Sequence, residues 1–288
     1  MSRIRKAVLP VAGLGTRMLP ATRVLPKEML PVVDKPIVQY AVEEAMAAGI
    51  EEIVLVTGRG KILIEDHFDR AVELFETLAR RGKRAELEEL VAQTPVPGAI
   101  VATRQQEPKG LGHAVWCARH LVGREPFAVV LVDDLIDAPV PCLAQMVEVH
   151  ARTGGNVLAV MEVPFEQTAR YGIVAPGEDD GRVVEVRGLV EKPRPENAPS
   201  RLAVIGRYIL MPEVMDELAR HEVGAGGEIQ LTDALAKLIG RQAFHGLRFE
   251  GRRYDCGDRL GYLEAVVALA AKRPDIGPAF RALLAQYL

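Results

Sequence analysis

Residues 4–17 read IRKAVLPVAGLGTR, an apolar run followed at once by a turn that contains two glycines. The run over residues 4–11 is short and rich in aliphatic side chains, which predicts a buried β-strand. The turn would then lie at the carboxyl end of that strand, where open α/β sheets bind their ligands. Because glycines let the backbone approach a phosphate closely, this stretch predicts an α/β fold with a nucleotide site at its first loop.

The pattern downstream of this loop repeats the order strand, helix, strand. Apolar positions predict a helix over 37–48 and a strand over 52–57, which complete a βαβ unit. Further strands are predicted over 100–104 and 127–132, and further helices over 62–81, 112–121 and 143–152. This alternation predicts a parallel, doubly wound sheet, with the charged and proline-rich segment 80–99 as an excursion on its surface.

The rhythm changes after residue 155, where strand-like runs are separated by polar turns. These runs, over 157–163, 183–186 and 203–210, predict a mixed sheet, and a further strand is predicted over 243–250. Helices are predicted over 212–220, 229–239, 260–271 and 279–288. We expect one domain over 1–288, made of a first half (1–155), a mixed second half (156–257) and C-terminal helices (258–288).

The composition is typical of a globular protein, and the charge pattern favours a small-molecule ligand. Of 288 residues, 49% are hydrophobic and 26% are charged, which excludes a disordered or fibrous protein. The net charge is −3, with 36 basic and 39 acidic residues interspersed, so no basic face points to a nucleic acid polymer or a membrane surface. We therefore expect small-molecule partners.

Cysteine use and hydropathy predict a cytoplasmic protein. The three cysteines, Cys117, Cys142 and Cys256, lack a CxxC spacing, which favours buried thiols in a reducing compartment over disulfides or structural zinc. Basic residues before the first apolar run resemble a signal peptide, but Pro10 interrupts that run and residues 13–17 stop it. No apolar run approaches the ~20 residues of a membrane-spanning helix.

The glycine loop fits neither of two common nucleotide motifs. A dinucleotide fingerprint needs a third glycine where this chain has Met18, and a P-loop needs a Lys-Ser or Lys-Thr pair that does not follow here. Instead two cations, Arg17 and Lys27, flank the loop ten residues apart. A nicotinamide-dependent dehydrogenase is therefore disfavoured.

Several stretches together resemble the sugar-1-phosphate nucleotidylyltransferases. Residues 11–27 have the form G-x-G-T-R followed by P-K, which is specific to the nucleotide loop of that family. The stretches 29–40 (MLPVVDKPIVQY) and 191–193 (EKP) match it too, whereas 109–114 (KGLGHA) and 228–234 (EIQLTDA) resemble its bacterial uridylyltransferase branch. The resemblance covers nearly the whole chain and implies a Rossmann-like, doubly wound mixed sheet with a nucleotide-binding half and a sugar-phosphate-binding half.

The resemblance also implies a reaction and its partners. UTP and glucose 1-phosphate would give UDP-glucose and pyrophosphate by Mg²⁺-assisted in-line displacement at the α-phosphorus, in a homodimer or homotetramer. Such a transfer requires electrostatic clamping and positioning. The attacking phosphate is already an oxyanion at neutral pH because its second pKa is about 6, so no general base is needed. The lack of an obvious Ser–His or Cys–His pair agrees with this chemistry.

The resemblance assigns roles to the residues around the nucleotide. Arg17 and Lys27 are the candidate catalytic residues, which would neutralise the triphosphate and the departing pyrophosphate. The nucleotide-binding candidates are Ala12, Gly13, Gly15, Thr16, Gln105 and Gly110. Of these, Gln105 and Gly110 would contact the nucleobase, since a carboxamide and a bare backbone can pair with the donors and acceptors of uracil.

Two aspartates and a downstream motif complete the site that the resemblance implies. Asp133 and Asp255 would bind Mg²⁺, Asp133 from the carboxyl end of a predicted strand; Asp134 and Asp137 are less favoured candidates. For the sugar phosphate the candidates are Gly172, which follows Tyr171, together with Glu191 for the hydroxyls and Lys192 for the phosphate.

Other interpretations stay open beside this one. Taken alone, Arg17 and Lys27 could be surface cations, and aspartates at strand ends could cap turns. Only the joint spacing of these residues favours a functional site. His113 reads as a structural histidine and Trp116 as a core residue. Two other functions remain: a thymidylyl- or cytidylyltransferase acting on a sugar 1-phosphate, and a catalytically weak regulatory homologue.

Overall fold

The structure, a computed structural model, describes residues 3–287 and contains thirteen β-strands within them. In chain order the strands are β1 (Lys6–Pro10), β2 (Pro31–Val32), β3 (Lys35–Pro36), β4 (Glu52–Thr57), β5 (Ile100–Arg104), β6 (Phe127–Val130), β7 (Asp134–Asp137), β8 (Asn156–Glu162), β9 (Gly172–Asp179), β10 (Val183–Glu191), β11 (Leu202–Leu210), β12 (Phe244–Arg248) and β13 (Arg252–Asp255).

Eleven α-helices lie between and after these strands in the described part of the chain. They are α1 (Ile37–Ala47), α2 (Ile62–Phe68), α3 (Val72–Arg80), α4 (Arg84–Gln93), α5 (Leu111–Cys117), α6 (Arg119–Val122), α7 (Cys142–Thr153), α8 (Val214–Leu218), α9 (Leu231–Leu238), α10 (Arg259–Lys272) and α11 (Gly277–Leu284). No helix within residues 3–287 has the length and hydropathy that crossing a membrane requires.

Nine of the strands form one mixed sheet in the order β5-β4-β1-β6-β11-β8-β12-β10-β9. The first four strands are parallel, and β11 joins them to the second half by pairing antiparallel with both β6 and β8. The remaining strands form two small ribbons, β2 with β3 and β7 with β13. The doubly wound mixed sheet predicted from the sequence is confirmed.

Side-chain alternation along each strand builds a core on both faces of the sheet. In β1, Ala7 and Leu9 pack in one buried cluster with α1 and α7, whereas Val8 packs in the other with α5, α8 and α9. Successive side chains of a strand point to opposite faces, so a strand covered on both sides reads as a continuous apolar run. That is why residues 4–11 lack an alternating pattern.

One charged side chain crosses this core. Arg207 in β11 is 1% exposed and forms an ion pair with Glu44 of α1, at 2.7 Å between Nη2 and Oε2. Its guanidinium also donates to the carbonyl oxygens of Leu131, Gly206 and Asp134. Because a buried charge must be paired and hydrogen-bonded, Arg207 fixes α1 and the chain after β6 on the central strand.

Several predictions for the elements are wrong, and among them the helix predicted over 112–121 is two helices, α5 and α6. The helix predicted over 62–81 is two helices, because Asp69 is extended (φ −78°, ψ 157°), and a short polar side chain such as Asp favours helix ends over helix interiors. The strand β9 was not predicted, since Pro176 and Gly177 read as a turn; β9 lies at the sheet edge, where proline is tolerated. The C-terminal helix predicted over 279–288 is α11, and position 288 lies outside the described residues.

Candidate active site

The glycine loop leaves β1 at the carboxyl edge of the sheet and folds over Lys27. Its first residue stays in the sheet, since the Val11 amide donates to Val56 O at 2.9 Å. Gly15 is left-handed (φ +66°), and a Cβ there would lie 3.3 Å from Lys27 Cβ and 3.2 Å from Thr22 Cγ2. Thr22 Oγ1 also donates to Gly15 O at 2.7 Å. Gly15 therefore serves both the turn and the close approach to Lys27.

Lys27 reaches from beneath this loop to Asp133. Lys27 Nζ lies 2.5 Å from Asp133 Oδ2, and Arg17 Nη2 lies 4.0 Å from the same oxygen. Burial alone would lower the pKa of Lys27, but the carboxylates of Asp133 and Glu28 outweigh it and raise that pKa. Burial would likewise raise the pKa of Asp133, yet the Lys27 ammonium lowers it below its usual range. Both side chains are therefore charged.

Asp133 and Asp255 converge on one small space beside Gly257. The point that a Cβ of Gly257 would occupy lies 2.8 Å from Asp133 Oδ2, 3.0 Å from Asp255 Oδ1 and 2.6 Å from Arg17 Nη2. The Cys256 amide holds the two segments together by donating to Asp133 O at 2.8 Å. Two converging carboxylates are a donor set that Mg²⁺ accepts when phosphate and water oxygens complete its coordination.

The other two aspartates of this region have structural partners. Asp134 Oδ1 accepts from Arg253 Nε at 2.6 Å, and its Oδ2 accepts from the Gly206 amide at 3.0 Å. Asp137 forms an ion pair with Lys272 of α10. Within residues 3–287, His, Cys, Asp and Glu side chains form no group of three that could hold a metal ion. Asp133 and Asp255 have cationic partners as well, but their carboxylates face one shared space beside Gly257, and for that reason they are the better-placed pair.

The downstream motif lies across the cleft from these aspartates. Glu191 ends β10 opposite Gly172 of β9, and a Cβ on Gly172 would lie 3.4 Å from Glu191 Oε2. Lys192 follows in a left-handed conformation (φ +46°), its amide donating to Tyr171 O and its Nζ 3.2 Å from Glu191 Oε1. The cleft has a volume of about 260 Å³. It is lined by six residues predicted for the site, Arg17, Asp133, Gly172, Glu191, Lys192 and Asp255, and by the less favoured metal candidate Asp134.

The two residues predicted for the nucleobase contact each other and do not themselves line this cleft. Gln105 follows β5 and its Nε2 donates to Gly110 O at 3.1 Å. Gly110 has φ +107°, and a Cβ there would lie 2.8 Å from Ile229 O, so that position requires glycine. The Lys109–Gly110 segment packs on the 228–230 segment, because the Ile229 amide donates to Lys109 O and Ile229 O accepts from the Gly112 amide. Leu111 and Glu228, beside these residues, line the cleft.

Several residues of the cleft were not predicted from the sequence. Arg170 Nη2 lies 3.1 Å from Asp255 Oδ2, and Arg253 Nη2 lies 3.5 Å from the same oxygen. Arg253 also donates to Tyr171 Oη at 2.9 Å. Arg253 could have been predicted from the sequence, because it precedes Asp255 by two positions in a strand and the two side chains therefore lie on the same face of that strand. Arg170 ends the 3-10 helix Phe165–Arg170 and Gln230 immediately precedes α9, and no periodicity directs either side chain to the cleft.

A buried ion pair supports the segment that carries Lys27. Lys61 Nζ lies 2.8 Å from Glu28 Oε2, and the two residues are 7% and 2% exposed. Glu28 belongs to the short 3-10 turn Lys27–Met29, and Lys61 immediately precedes α2. The pair therefore fixes the backbone of Lys27 to the first helix after β4.

Comparisons with known proteins agree on one kind of enzyme. Residues 6–272 match the family described as nucleotidyl transferase. A UTP–glucose-1-phosphate uridylyltransferase from Komagataeibacter xylinus is 55% identical over 257 residues, which are 89% of this chain and 90% of the relative. A solved UDP-glucose pyrophosphorylase complexed with UDP-glucose has a TM-score of 0.86 at 42% identity, over 94% of this chain and all of that one. A UTP-bound UGPase from Acinetobacter baumannii has a TM-score of 0.90 at 41% identity, over 98% of each chain.

Proposed function

This chain belongs to the nucleotidyl transferase family, and on that premise we propose that it transfers the uridylyl group of UTP to glucose 1-phosphate, releasing UDP-glucose and pyrophosphate. The observation that carries the proposal is the convergence of two cations and two carboxylates on one cleft. Arg17 and Lys27 meet Asp133 Oδ2, while Asp255 faces the same space beside Gly257. A transfer between phosphates needs this kind of electrostatic clamp.

The chain's own residues supply binding, orientation and charge. Arg17 and Lys27 neutralise the triphosphate and the departing pyrophosphate. Lys192 binds the phosphate of glucose 1-phosphate, and the Glu191 carboxylate accepts hydrogen bonds from the sugar hydroxyls. The attacking phosphate is already ionised at neutral pH, since its second pKa is about 6, and so the reaction uses no general base. Holding the two phosphates in line contributes to the rate enhancement beside this electrostatic stabilisation.

Asp133 and Asp255 are the residues that would hold Mg²⁺. Their oxygens are hard ligands of the kind that this cation prefers. When bound, Mg²⁺ neutralises negative charge on the phosphates and strengthens the polarity of the bond at the α-phosphorus. Lys27 Nζ already neutralises Asp133 at 2.5 Å, and incoming phosphates give this ammonium a second anionic partner.

Location and assembly of the protein remain predictions. All three cysteines, Cys117, Cys142 and Cys256, are free thiols. Cys142 and Cys256 are buried and Cys117 is partly buried. Free thiols agree with the predicted cytoplasmic location, since disulfides are rare in reducing compartments. We also expect a homodimer or homotetramer. Light scattering during size-exclusion chromatography measures the molar mass of the assembly directly.

The test is pyrophosphate release from the purified protein with Mg²⁺, glucose 1-phosphate and, in parallel, UTP, dTTP, CTP, ATP and GTP. We expect fast release with UTP. Preference for dTTP or CTP would keep the mechanism and replace uridylyl transfer by one of the sibling activities. If folded protein released no pyrophosphate with any of the five triphosphates, the result would favour a catalytically weak regulatory homologue.

A further inference from the structure

The Gln105 amide is held by two acceptors at once. Gln105 is 7% exposed, and its backbone amide donates to Thr57 O at 2.8 Å, which fixes it beside β4. Its Nε2 lies 3.1 Å from Gly110 O and 3.0 Å from His113 Nδ1. A carbonyl oxygen only accepts hydrogen bonds, so the side-chain atom that faces Gly110 must be the amide nitrogen. Both Nε2 hydrogens are therefore used inside the protein.

The same argument fixes the state of His113. Since Nε2 of Gln105 donates, His113 Nδ1 must accept, and the ring is then neutral with its proton on Nε2. The ring stacks on Trp116 at 5.9 Å between centroids and contacts the edge of His221 at 5.6 Å. Burial, helped by His221 and Lys109, lowers the pKa of His113. The packing and the lowered pKa both favour the neutral ring.

The amide oxygen of Gln105 remains available to a ligand. Gln105 Oε1 makes no hydrogen bond within the described residues, and it is not among the three buried side-chain atoms there that lack a partner. It therefore reaches solvent. Gln105 also lies near the glycine loop: it binds the end of β4, and the next residue, Gly58, would carry a Cβ 3.3 Å from Ala12 O. A base whose phosphates lie on the loop could reach Oε1.

We propose that His113 is a positioning residue that holds the Gln105 amide with its oxygen towards the nucleobase, and that it thereby selects uracil over cytosine. This inference rests on the proposed function. Uracil has an N–H at position 3 that donates to an amide oxygen, whereas N3 of cytosine is an acceptor. To serve cytosine the amide would have to flip, which would place Oε1 against the acceptor Gly110 O and would require the His113 ring to move its proton from Nε2 to Nδ1.

His113 is the anchor that substitution can test. Gly110 O belongs to the backbone and stays in every variant, whereas His113 contributes its Nδ1 through a side chain. His113→Leu removes the acceptor and keeps an apolar side chain against Trp116. His113→Asn offers an amide oxygen near the position of Nδ1 and so serves as the conservative variant.

The experiment compares kcat/KM for UTP, dTTP and CTP in the wild type and both variants. We expect His113→Leu to lower the UTP-to-CTP ratio about tenfold, mainly through KM for UTP, because one Gln105 hydrogen loses its partner. His113→Asn should restore the ratio to within about threefold. In all three proteins dTTP should follow UTP, since thymine presents the same N3–H and carbonyl edge.

Several outcomes would overturn the inference. An unchanged UTP-to-CTP ratio in His113→Leu, with kcat lowered for every substrate, would make His113 merely structural, as would no recovery in His113→Asn. Long-range ¹H–¹⁵N spectra of the wild type give an answer that needs no variant: a proton on Nδ1 of His113 would contradict the proposed hydrogen bond. A wild type that ignores UTP but uses another triphosphate would remove the proposed function, and the inference with it.

Discussion

Asp133 is the residue at which the catalytic candidates meet. Its Oδ2 is 2.5 Å from Lys27 Nζ, and its backbone oxygen accepts from the Cys256 amide next to Asp255. Asp133→Asn keeps the shape of the side chain and removes its charge. We expect kcat to fall at least about 100-fold, the usual scale for losing one electrostatic contributor.

Asp137→Asn is the matched control for this substitution. It removes a carboxylate from the same segment, but one that pairs with Lys272 rather than facing the cleft. We expect its kcat to stay within about twofold of the wild type, as surface ion pairs contribute little. Equal losses in Asp133→Asn and Asp137→Asn, with pyrophosphate release as the assay, would exclude the proposed role of Asp133.

Gly257→Ala tests the same space without changing any charge. The added methyl would lie 2.8 Å from Asp133 Oδ2 and 3.0 Å from Asp255 Oδ1, where a cation shared by both would sit. We expect kcat to fall about 100-fold while the melting temperature changes little. Gly188→Ala in β10 is the control, since its methyl would meet one side-chain carbon, Ala175 Cβ, at 3.3 Å. Full activity of Gly257→Ala would show that the shared space is not used.

Lys192→Ala separates the two substrates. Removing the ammonium should raise KM for glucose 1-phosphate about tenfold or more and leave KM for UTP within about twofold, because charged hydrogen bonds to phosphate are strong. Arg194→Ala removes an exposed cation two residues away and should change neither KM. Initial-rate kinetics with each substrate varied in turn measure both KM values. A rise confined to KM for UTP would show that Lys192 contacts UTP and not glucose 1-phosphate.

Site residues could be predicted where they belong to short, continuous stretches of sequence. Arg17, Lys27 and Lys192 lie in short stretches whose spacing is visible in the sequence, so a resemblance could be recognised there. Arg170 and Arg253 reach Asp255 only after β9 and β13 have folded against the cleft. The contacts of the Gln105 side chain also depend on the folded structure. His113 lies only eight residues further along the chain, but the sequence does not show which of its ring nitrogens faces the amide.

At the scale of single elements, the Glu28–Lys61 pair connects the Lys27–Met29 turn to α2. Lys61→Met would leave a buried carboxylate without its cation, and we expect a loss of about 3–5 kcal/mol in the free energy of unfolding. The double variant Glu28→Met with Lys61→Met should recover much of that loss, because replacing a whole buried pair by apolar side chains is often nearly neutral. Urea denaturation measures both.

Lys35→Met is the control for the buried pair. Lys35 Nζ lies 2.6 Å from Glu43 Oε2, but both side chains are partly exposed. Surface pairs of this kind contribute at most about 1 kcal/mol. If Lys61→Met were no more costly than Lys35→Met, the turn that carries Lys27 would not depend on the buried pair.

Elements were predictable where a local pattern determines them. The strand over 52–57 has the predicted bounds, because both faces are buried and the run is continuous. The strand β9 contains a proline and a glycine, and only its pairing with β10 makes it a strand. The strands β7 and β13 are equally dependent on each other, since they form a ribbon of two.

Three histidines couple the stability of this protein to pH. Burial lowers the pKa of His67, His113 and His245. His113 is buried and the other two are partly buried. Below the unfolded-state value of about 6.5 the unfolded chain binds more protons than the folded protein. Stability is therefore fully present above about pH 6.5 and is lost as pH falls towards the lowered folded-state values.

Thermal unfolding between about pH 7.5 and pH 5.5 tests this coupling, since most carboxylates titrate below that range. The melting temperature should fall across the window. His67→Gln should reduce the slope, because glutamine does not titrate. Its amide can still donate to Gln39 Oε1, which His67 Nε2 contacts at 2.9 Å. His120→Gln, at an exposed position, should leave the slope unchanged. A melting temperature that stays constant or rises on acidification would contradict the coupling.

The position of β11 also has a consequence for how the chain is made. A ribosome delivers β1, β4, β5, β6 and β8 before residues 202–210 exist, yet β6 and β8 meet only through β11. Until then the nascent chain carries two apolar strands with open edges, which are prone to pair with other chains. When β11 emerges, it closes both edges and brings Arg207 to Glu44 on the first helix. The other edge of β8 stays open until β12 is made, so native assembly of this molecule is postponed until more than about three-quarters of it has been synthesised.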